Sequence, residues 1–364
     1  MSLALPTTKQ EAWKYTSLPP LVKNFQGPPD TADVSYVDPD NIVQKLGVVL
    51  DAGAPEWLTR TLATTPQGND KTLWDLVHEH PLQGLIVDVP AGKRVENPVE
   101  VTIQGHDNTF FLPRTVFRLA ENAELTIIEY HKGTGSYWNN RVTQAIIGPG
   151  AKLRHVRLQE NGMQAIYTQN THVHVEKGGH YEAFALTAGA RLSRNEVCVD
   201  LAAEGASCSL SGVNLLQDVQ HGDTTVTVTH SAPACTSRQF YRSILKDRAH
   251  GVFQGKIHVC AGADGTDGHM LSNALLLSEG AEMDTKPELE IYTDDVQCAH
   301  GATTGALDEE SLFYMRTRGI SEAQARALLM ESFVNEVVEK CVEKCGDSRV
   351  EDLIRQRIKL WLGS

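Results

Sequence analysis

A turn-like phrase returns along the middle of this chain: Ala120-Glu121-Asn122-Ala123, Gly148-Pro149-Gly150-Ala151, Glu176-Lys177-Gly178-Gly179 and Glu204-Gly205-Ala206. Successive copies stand about 28 residues apart, the spacing of a repeat architecture rather than of isolated hairpins. Each copy introduces a β-rich run. The spacing therefore predicts a parallel β-helix whose coils stack strand upon strand and bury a continuous core. It exceeds the coil of a hexapeptide repeat, which disfavours the left-handed acyltransferase type. A β-sandwich is the alternative that the same strand pattern allows. Later relatives of the phrase, Asp247-Arg248-Ala249 and Ser278-Glu279-Gly280-Ala281, are spaced less regularly.

Three regions follow from the change in pattern. Residues 1–83 mix polar and apolar residues with Pro19-Pro20 and Pro28-Pro29, and offer short helical candidates at residues 40–46 and 56–63. Residues 84–306 form the predicted β-helix core, beginning with Leu85-Ile86-Val87-Asp88-Val89. Residues 307–364 turn helical. Asp308 and Ser321 are candidate N-caps, and Gln324 completes a capping box with Ser321. Ala325, Leu329, Phe333, Val337 and Cys341 then recur every fourth residue, widened by Leu328, Met330, Val334 and Val338. Such a stripe must be covered, either by the end of the β-body or by another subunit. A last amphipathic run occupies residues 350–362.

Charge and cysteine usage narrow the function classes. With a formal net charge of −13, the chain lacks the clustered Lys and Arg that neutralise nucleic-acid phosphates or an anionic membrane. No apolar run approaches a membrane span, and the first residues carry no secretory pattern. A soluble, cytoplasmic protein is expected, and its seven cysteines, an odd number in a large chain, suit reduced thiols. No phosphate-wrapping G-x-x-x-x-G-K-[ST] loop, G-x-S-x-G elbow or H-E-x-x-H pair is present, so neither nucleotide binding nor conventional hydrolysis is expected of this chain.

The stretch Asp294-Asp295-Val296-Gln297-Cys298-Ala299-His300-Gly301-Ala302-Thr303 is the strongest candidate site. A thiol and an imidazole two residues apart share one side of an extended segment, and these are ligands that iron and zinc favour. The pair is half a site, because closed metal sites usually need four ligands. Asp294 and Asp295 could add carboxylates. If the strand from Leu289 continues through the motif, Leu289 and Ile291 face one side while Asp294, Cys298 and His300 share a polar, presentable face with Glu288 and Glu290. Thr171-His172-Val173-His174 reads as surface decoration, and Cys341 with Cys345 as core cysteines. His230, His250, His258 and His269 are scattered with nothing to unite them.

These residues resemble the SufB/SufD family of the Suf iron–sulfur cluster assembly machinery, in its SufD-like branch. The likeness begins at Glu11-Ala12-Trp13-Lys14-Tyr15-Thr16-Ser17-Leu18 and continues through Tyr241-Arg242-Ser243 and Gly251-Val252-Phe253-Gln254-Gly255-Lys256-Ile257. It is densest across Asp284-Thr285-Lys286-Pro287-Glu288-Leu289-Glu290-Ile291-Tyr292, the Cys-x-His-Gly-Ala-Thr run, Leu312-Phe313-Tyr314 and Arg318-Gly319-Ile320. The resemblance implies a mainly β protein, a parallel β-helix core flanked by helical N-terminal and C-terminal regions. It implies a non-catalytic scaffold that pairs with SufB through the β-helix ends and binds the ATPase SufC through its C-terminal helices. It also implies that His300, with a SufB cysteine and with Cys298 as its neighbour here, takes part in holding iron or a nascent cluster, transiently and shared with SufB.

Two departures stand out, Gly265 and His269, where the family usually carries Lys and Gln. No cysteine lies near Glu279-Gly280-Ala281, the place of the SufB-type assembly cysteine. Two other classes remain as alternatives: a β-helix enzyme acting on a polysaccharide or acyl group, and a self-associating homodimer that uses the same exposed strand edges.

Overall fold

The computed structural model describes residues 5–25, 27–64, 71–80, 83–345 and 348–363, with side chains left out for 340–345 and 348. The chain winds as a parallel β-helix of about eight turns, each turn giving one strand to each of two sheets. Sheet A stacks Val99–Gly105, Glu124–Gly133, Lys152–Gln159, His180–Thr187, Ser207–Leu216, Thr236–Leu245, Thr266–Leu276 and Val296–Gly305. Sheet B stacks Gly84–Val89, Arg114–Leu119, Trp138–Ile147, Ile166–Val175, Leu192–Leu201, His221–His230, His250–Val259 and Glu282–Ile291.

Period-two alternation makes the core. On sheet A, Leu125, Leu153, Tyr181 and Cys208 are register partners in successive strands, and all four are buried. On sheet B the same holds for Ile147, Val175 and Leu201. Each such side chain contributes roughly 1.5–3 kcal/mol on burial, so stacked ladders supply most of the stability while each coil touches only its neighbours.

The recurring phrase forms the corner from sheet B to sheet A. There a left-handed backbone recurs at Asn122, Gly150, Gly178, Gly205, Ala234 and Gly262, joined in the last of these corners by Gly265. A small residue often follows and packs fully inside, as Ala123, Ala151, Ala206, Cys235 and Ala263 do. The series thus continues through Ala234 and Gly262. Asp247 and Ser278-Glu279-Gly280, expected to extend it, instead build the opposite corner, from sheet A back to sheet B. Two interleaved corner series explain the irregular spacing.

Short antiparallel strands stop the ladder at its start. Asp33–Val37 pairs antiparallel with Val99–Gly105, and Val43–Lys45 pairs antiparallel with Gly84–Val89. Residues 40–46 therefore do not form the expected helix; that helix begins at Leu46 and ends at Asp51. The helix over residues 56–63 is present as Glu56–Ala63. Helix Lys71–His78 lays Leu73, Trp74 and Val77 on the outer face of sheet B, against Trp138, Val142 and Ile166.

The Glu11-Ala12-Trp13 motif crosses that same outer face further along. Trp13 is fully buried, with the Arg194 guanidinium 4.0 Å from its ring centre, and Arg194 pairs with buried Asp223. Thr16 donates to Asp223, Gln254 Nε2 donates to the Ala12 carbonyl at 3.1 Å, and Lys286 meets Glu11 at 2.7 Å. The motif straps strands from Leu192 to Ile291.

On the other side, helices Glu322–Cys345 and Ser348–Leu362 cover sheet A rather than the end of the β-body. Val334, Val337, Val338, Val350, Ile354 and Ile358 bury themselves against Val156, Phe184, Val213 and Ile244. Both predicted N-caps form: Asp308 accepts from the Glu310 and Ser311 N–H groups, and Ser321 exchanges bonds with Gln324. The expectation for Cys341 and Cys345 lies outside the described side chains. Among the described residues no helix is long and apolar enough to cross a membrane.

Candidate metal half-site at the open edge

The β-helix finishes at strands Glu282–Ile291 and Val296–Gly305, each of which has a strand neighbour on one side only. Their burial shows it. The penultimate strand of sheet B is mostly buried and that of sheet A alternates buried with half-buried or exposed residues, whereas every residue of these two is half-buried or exposed. Unpaired backbone groups along two parallel edges are a template for further pairing.

Cys298 and His300 stand on the last strand of sheet A. Register places Cys298 over Gly268 and His300 over Met270, two positions on the inward side of the preceding coil. The Cys298 thiol packs into the core margin; a Cβ placed on Gly268 would lie 3.4 Å from its Sγ and 3.3 Å from Ile257. Burial pushes this thiol up from its ordinary pKa, with weaker opposition from the Gly268 backbone. His300 projects in the same sense but is exposed, because no coil lies above it.

The expected strand parity fails here, and the reason is the corner. The sheet B strand ends at Ile291, and Asp294 and Asp295 sit in the turn that leads to sheet A. Leu289 and Cys298 consequently face the same interior from opposite sheets, so Cys298 lies on the core side. Asp294 and Asp295 are exposed, and the Asp295 carbonyl accepts from Gly265 N–H at 2.8 Å. Gly265 has φ +70, a backbone that penalises the family's usual lysine. His269 turns outward to Asp267 at 3.0 Å.

Around this edge stand paired and unpaired carboxylates. Glu290 accepts from Lys256 at 2.7 Å and contacts His258 at 2.9 Å, and these two neighbours hold its carboxyl below the usual range. His250 meets Asp284 at 2.7 Å. Tyr292 is 62% exposed, with its ring 5.4 Å from that of His258. Among the described residues no three of His, Cys, Asp and Glu converge as a metal-binding group. Cys298 and His300 alone stand together on this edge, half-buried and exposed respectively.

The histidine pair of Thr171-His172-Val173-His174 divides. His174 is exposed and bonded to Asp200 at 3.1 Å, whereas His172 lies edge-on under Trp74 at 4.8 Å, so only one of the two decorates the surface.

One cluster escaped the sequence reading. Inside the early coils, Arg141 forks onto Glu129, with Nη2 to Oε1 at 2.8 Å and Nη1 to Oε2 at 3.2 Å, and His155 reaches Glu129 Oε2 at 2.8 Å. His131 joins from Arg141 Nη1 at 2.8 Å. Burial, aided by Arg141, drives the His131 imidazole down to about 3. Burial also works to raise the Glu129 carboxyl, but Arg141, His155 and His131 more than offset it and hold it well below the usual range. A signal existed: Glu129 and Arg157 are register partners 28 residues apart, as are Arg141 and Gln169.

The fold is a two-sheet parallel β-helix with an open last coil that carries Cys298 and His300, the architecture of a solenoid protein. The description "SUF system FeS cluster assembly, SufBD core domain" fits residues 101–333, which is more than half of the sequence. The iron–sulfur cluster assembly protein SufD of Escherichia coli is 29% identical, over 97% of this chain and 89% of its own. A SufBD family protein of Synechocystis is 26% identical over 93% of this chain and 84% of its own, and chloroplastic protein ABCI7 of Arabidopsis thaliana 31% over 76% and 60%. The chain belongs to the SufB/SufD family of iron–sulfur cluster assembly proteins, and its likeness to SufD runs almost end to end.

Proposed function

We propose that this chain is the SufD-type scaffold subunit of a cytoplasmic Suf complex, pairing with SufB at its open β-helix edge. His300, assisted by Cys298 and by a carboxylate from Asp294 or Asp295, contributes ligands to iron or a nascent cluster completed by a SufB thiolate. Neither species is resident; both are cargo. A neutral imidazole binds iron without adding negative charge and exchanges more readily than thiolate, which suits a cluster that must be handed on. Nucleotide chemistry is left to SufC, docked on the C-terminal helices. Phe313, Tyr314 and Leu328 are 70%, 59% and 47% exposed there, which supports an apolar contact.

One observation carries the reading. His300 is a potential ligand on the core side of the last coil, yet open to solvent because the parallel ladder ends there. The test is His300→Ala in the complex reconstituted with SufB and SufC. Cluster formation, followed by visible absorption and by iron and sulfide content, is expected to fall at least about tenfold, the loss of roughly one ligand's worth of 1.4 kcal/mol or more. Wild-type rates would remove His300 from the mechanism. A mass measurement without SufB distinguishes a homodimer using the same edge.

A further inference from the structure

We propose that the interior of the β-helix holds a halide-sized monovalent anion against Arg157. The starting point is a charge imbalance. Among the described residues, the inward positions around the buried cluster carry two guanidiniums, Arg141 and Arg157, and one carboxylate, Glu129. Both oxygens of Glu129 are taken by Arg141 and His155, and His131 is neutral at physiological pH. Arg157 is 7% exposed, and its Nη1 is buried with no hydrogen-bond partner. Tyr167 is its neighbour, with the ring centre 5.6 Å from the guanidinium and the hydroxyl within hydrogen-bonding reach of it, which leaves Nη1 as the free donor. Whatever the protonation of His155, the cluster keeps at least one excess positive charge in a low-dielectric interior, an arrangement that folds only with a counter-charge.

Space for that counter-charge lies beside Arg157. A cavity of about 40 Å³ is lined by Arg157, His155, Gln169, Asn195, Thr224 and Tyr241. The register explains why it is there: Arg157 is followed up its ladder by the small Ala185 and then by Gly212, over which the Tyr241 ring leans, so the coil next to the guanidinium carries only a methyl group. A Cβ on Gly212 would run into the Tyr241 ring at 2.6 Å. The volume admits a few waters or one ion of halide size. Water satisfies a donor but supplies no charge; an anion does both. The guanidinium, with the Thr224 and Tyr241 hydroxyls, can donate to an anion there, while the amide nitrogens of Gln169 and Asn195 already donate to Thr171 and Ser193.

The test uses the whole chain, purified and crystallised in bromide. Anomalous data at the bromine edge are expected to show one interior peak within hydrogen-bonding distance of Arg157 Nη1. In solution, replacing gluconate by chloride at constant ionic strength is expected to raise the melting midpoint by roughly 2 °C or more, as a ligand that binds only the folded state must. Arg157→Met should abolish both responses. Should that variant fail to fold, the wild-type measurements decide alone. Ordinary water density in the cavity, with identical melting in chloride and gluconate, would overturn the assignment.

Discussion

At its start the β-helix is met by two strands of five and three residues that run against the ladder, whereas at its finish the parallel strands simply stop. The first end is closed: Phe117, Leu119 and Val87 are essentially inaccessible, with helix Glu56–Ala63 packed outside sheet B. At the second end Val296, Leu289 and Met283 only touch the core. The same repeat, built from the same alternation, thus produces a closed terminus and one whose burial is incomplete. Core positions are closed off at the first and left open to solvent at the second.

The largest effects should expose that asymmetry. Phe117→Ala is expected to cost about 3–5 kcal/mol in chemical denaturation, whereas Leu289→Ala, half-covered at the open end, should cost under about 2 kcal/mol. Equal losses would mean that the last coil is as consolidated as the first. Ala302→Arg places an unpaired charge on the inward side of the final strand; binding to SufB should weaken about a hundredfold or more by calorimetry while the melting midpoint hardly moves. Retained affinity would point to a different docking face.

A smaller effect is graded by pH. Burial holds the imidazoles of His131, His172, His221 and His230 down, the first to about 3 and the others to about 4. Unfolded, each titrates near 6.5, so below that value the unfolded chain takes up protons that the folded one refuses. Stability is therefore full above about pH 6.5 and declines toward pH 4, by about 1.4 kcal/mol per pH unit for each group. His230→Gln should flatten the slope by about a quarter in denaturation series; an unchanged slope would show that this ring titrates freely when folded. Smallest of all, Lys286→Met removes an exposed link between strap and last sheet B strand, and its melting curve should overlay the wild type.

Much of this architecture was legible because coil period and strand alternation are local properties. The 28-residue spacing gave the winding, and Ser321 with Gln324 gave a helix start. What stayed hidden depends on where the chain turns. A corner after Ile291 reverses the facing of everything behind it, so the parity argument for Cys298 failed although the motif itself was found. The two corner series look alike in sequence because both demand left-handed residues, and only the sheets on either side tell them apart. Trp13 reads as part of an N-terminal signature, but its seat on Arg194 and Asp223 is set by tertiary contacts some two hundred positions away.

A solenoid with one blunted and one bare terminus has a consequence for stoichiometry. Were both termini bare, each molecule could accept a neighbour above and below, and head-to-tail addition would yield filaments without limit. Because Asp33–Val37 and Val43–Lys45 are short and break the parallel direction, the parallel register is not continued on that side, and a neighbour extending the ladder in parallel is expected at the last coil. Eight residues of reversed strand thereby give any parallel extension a single direction, as a punctuation mark does a sentence.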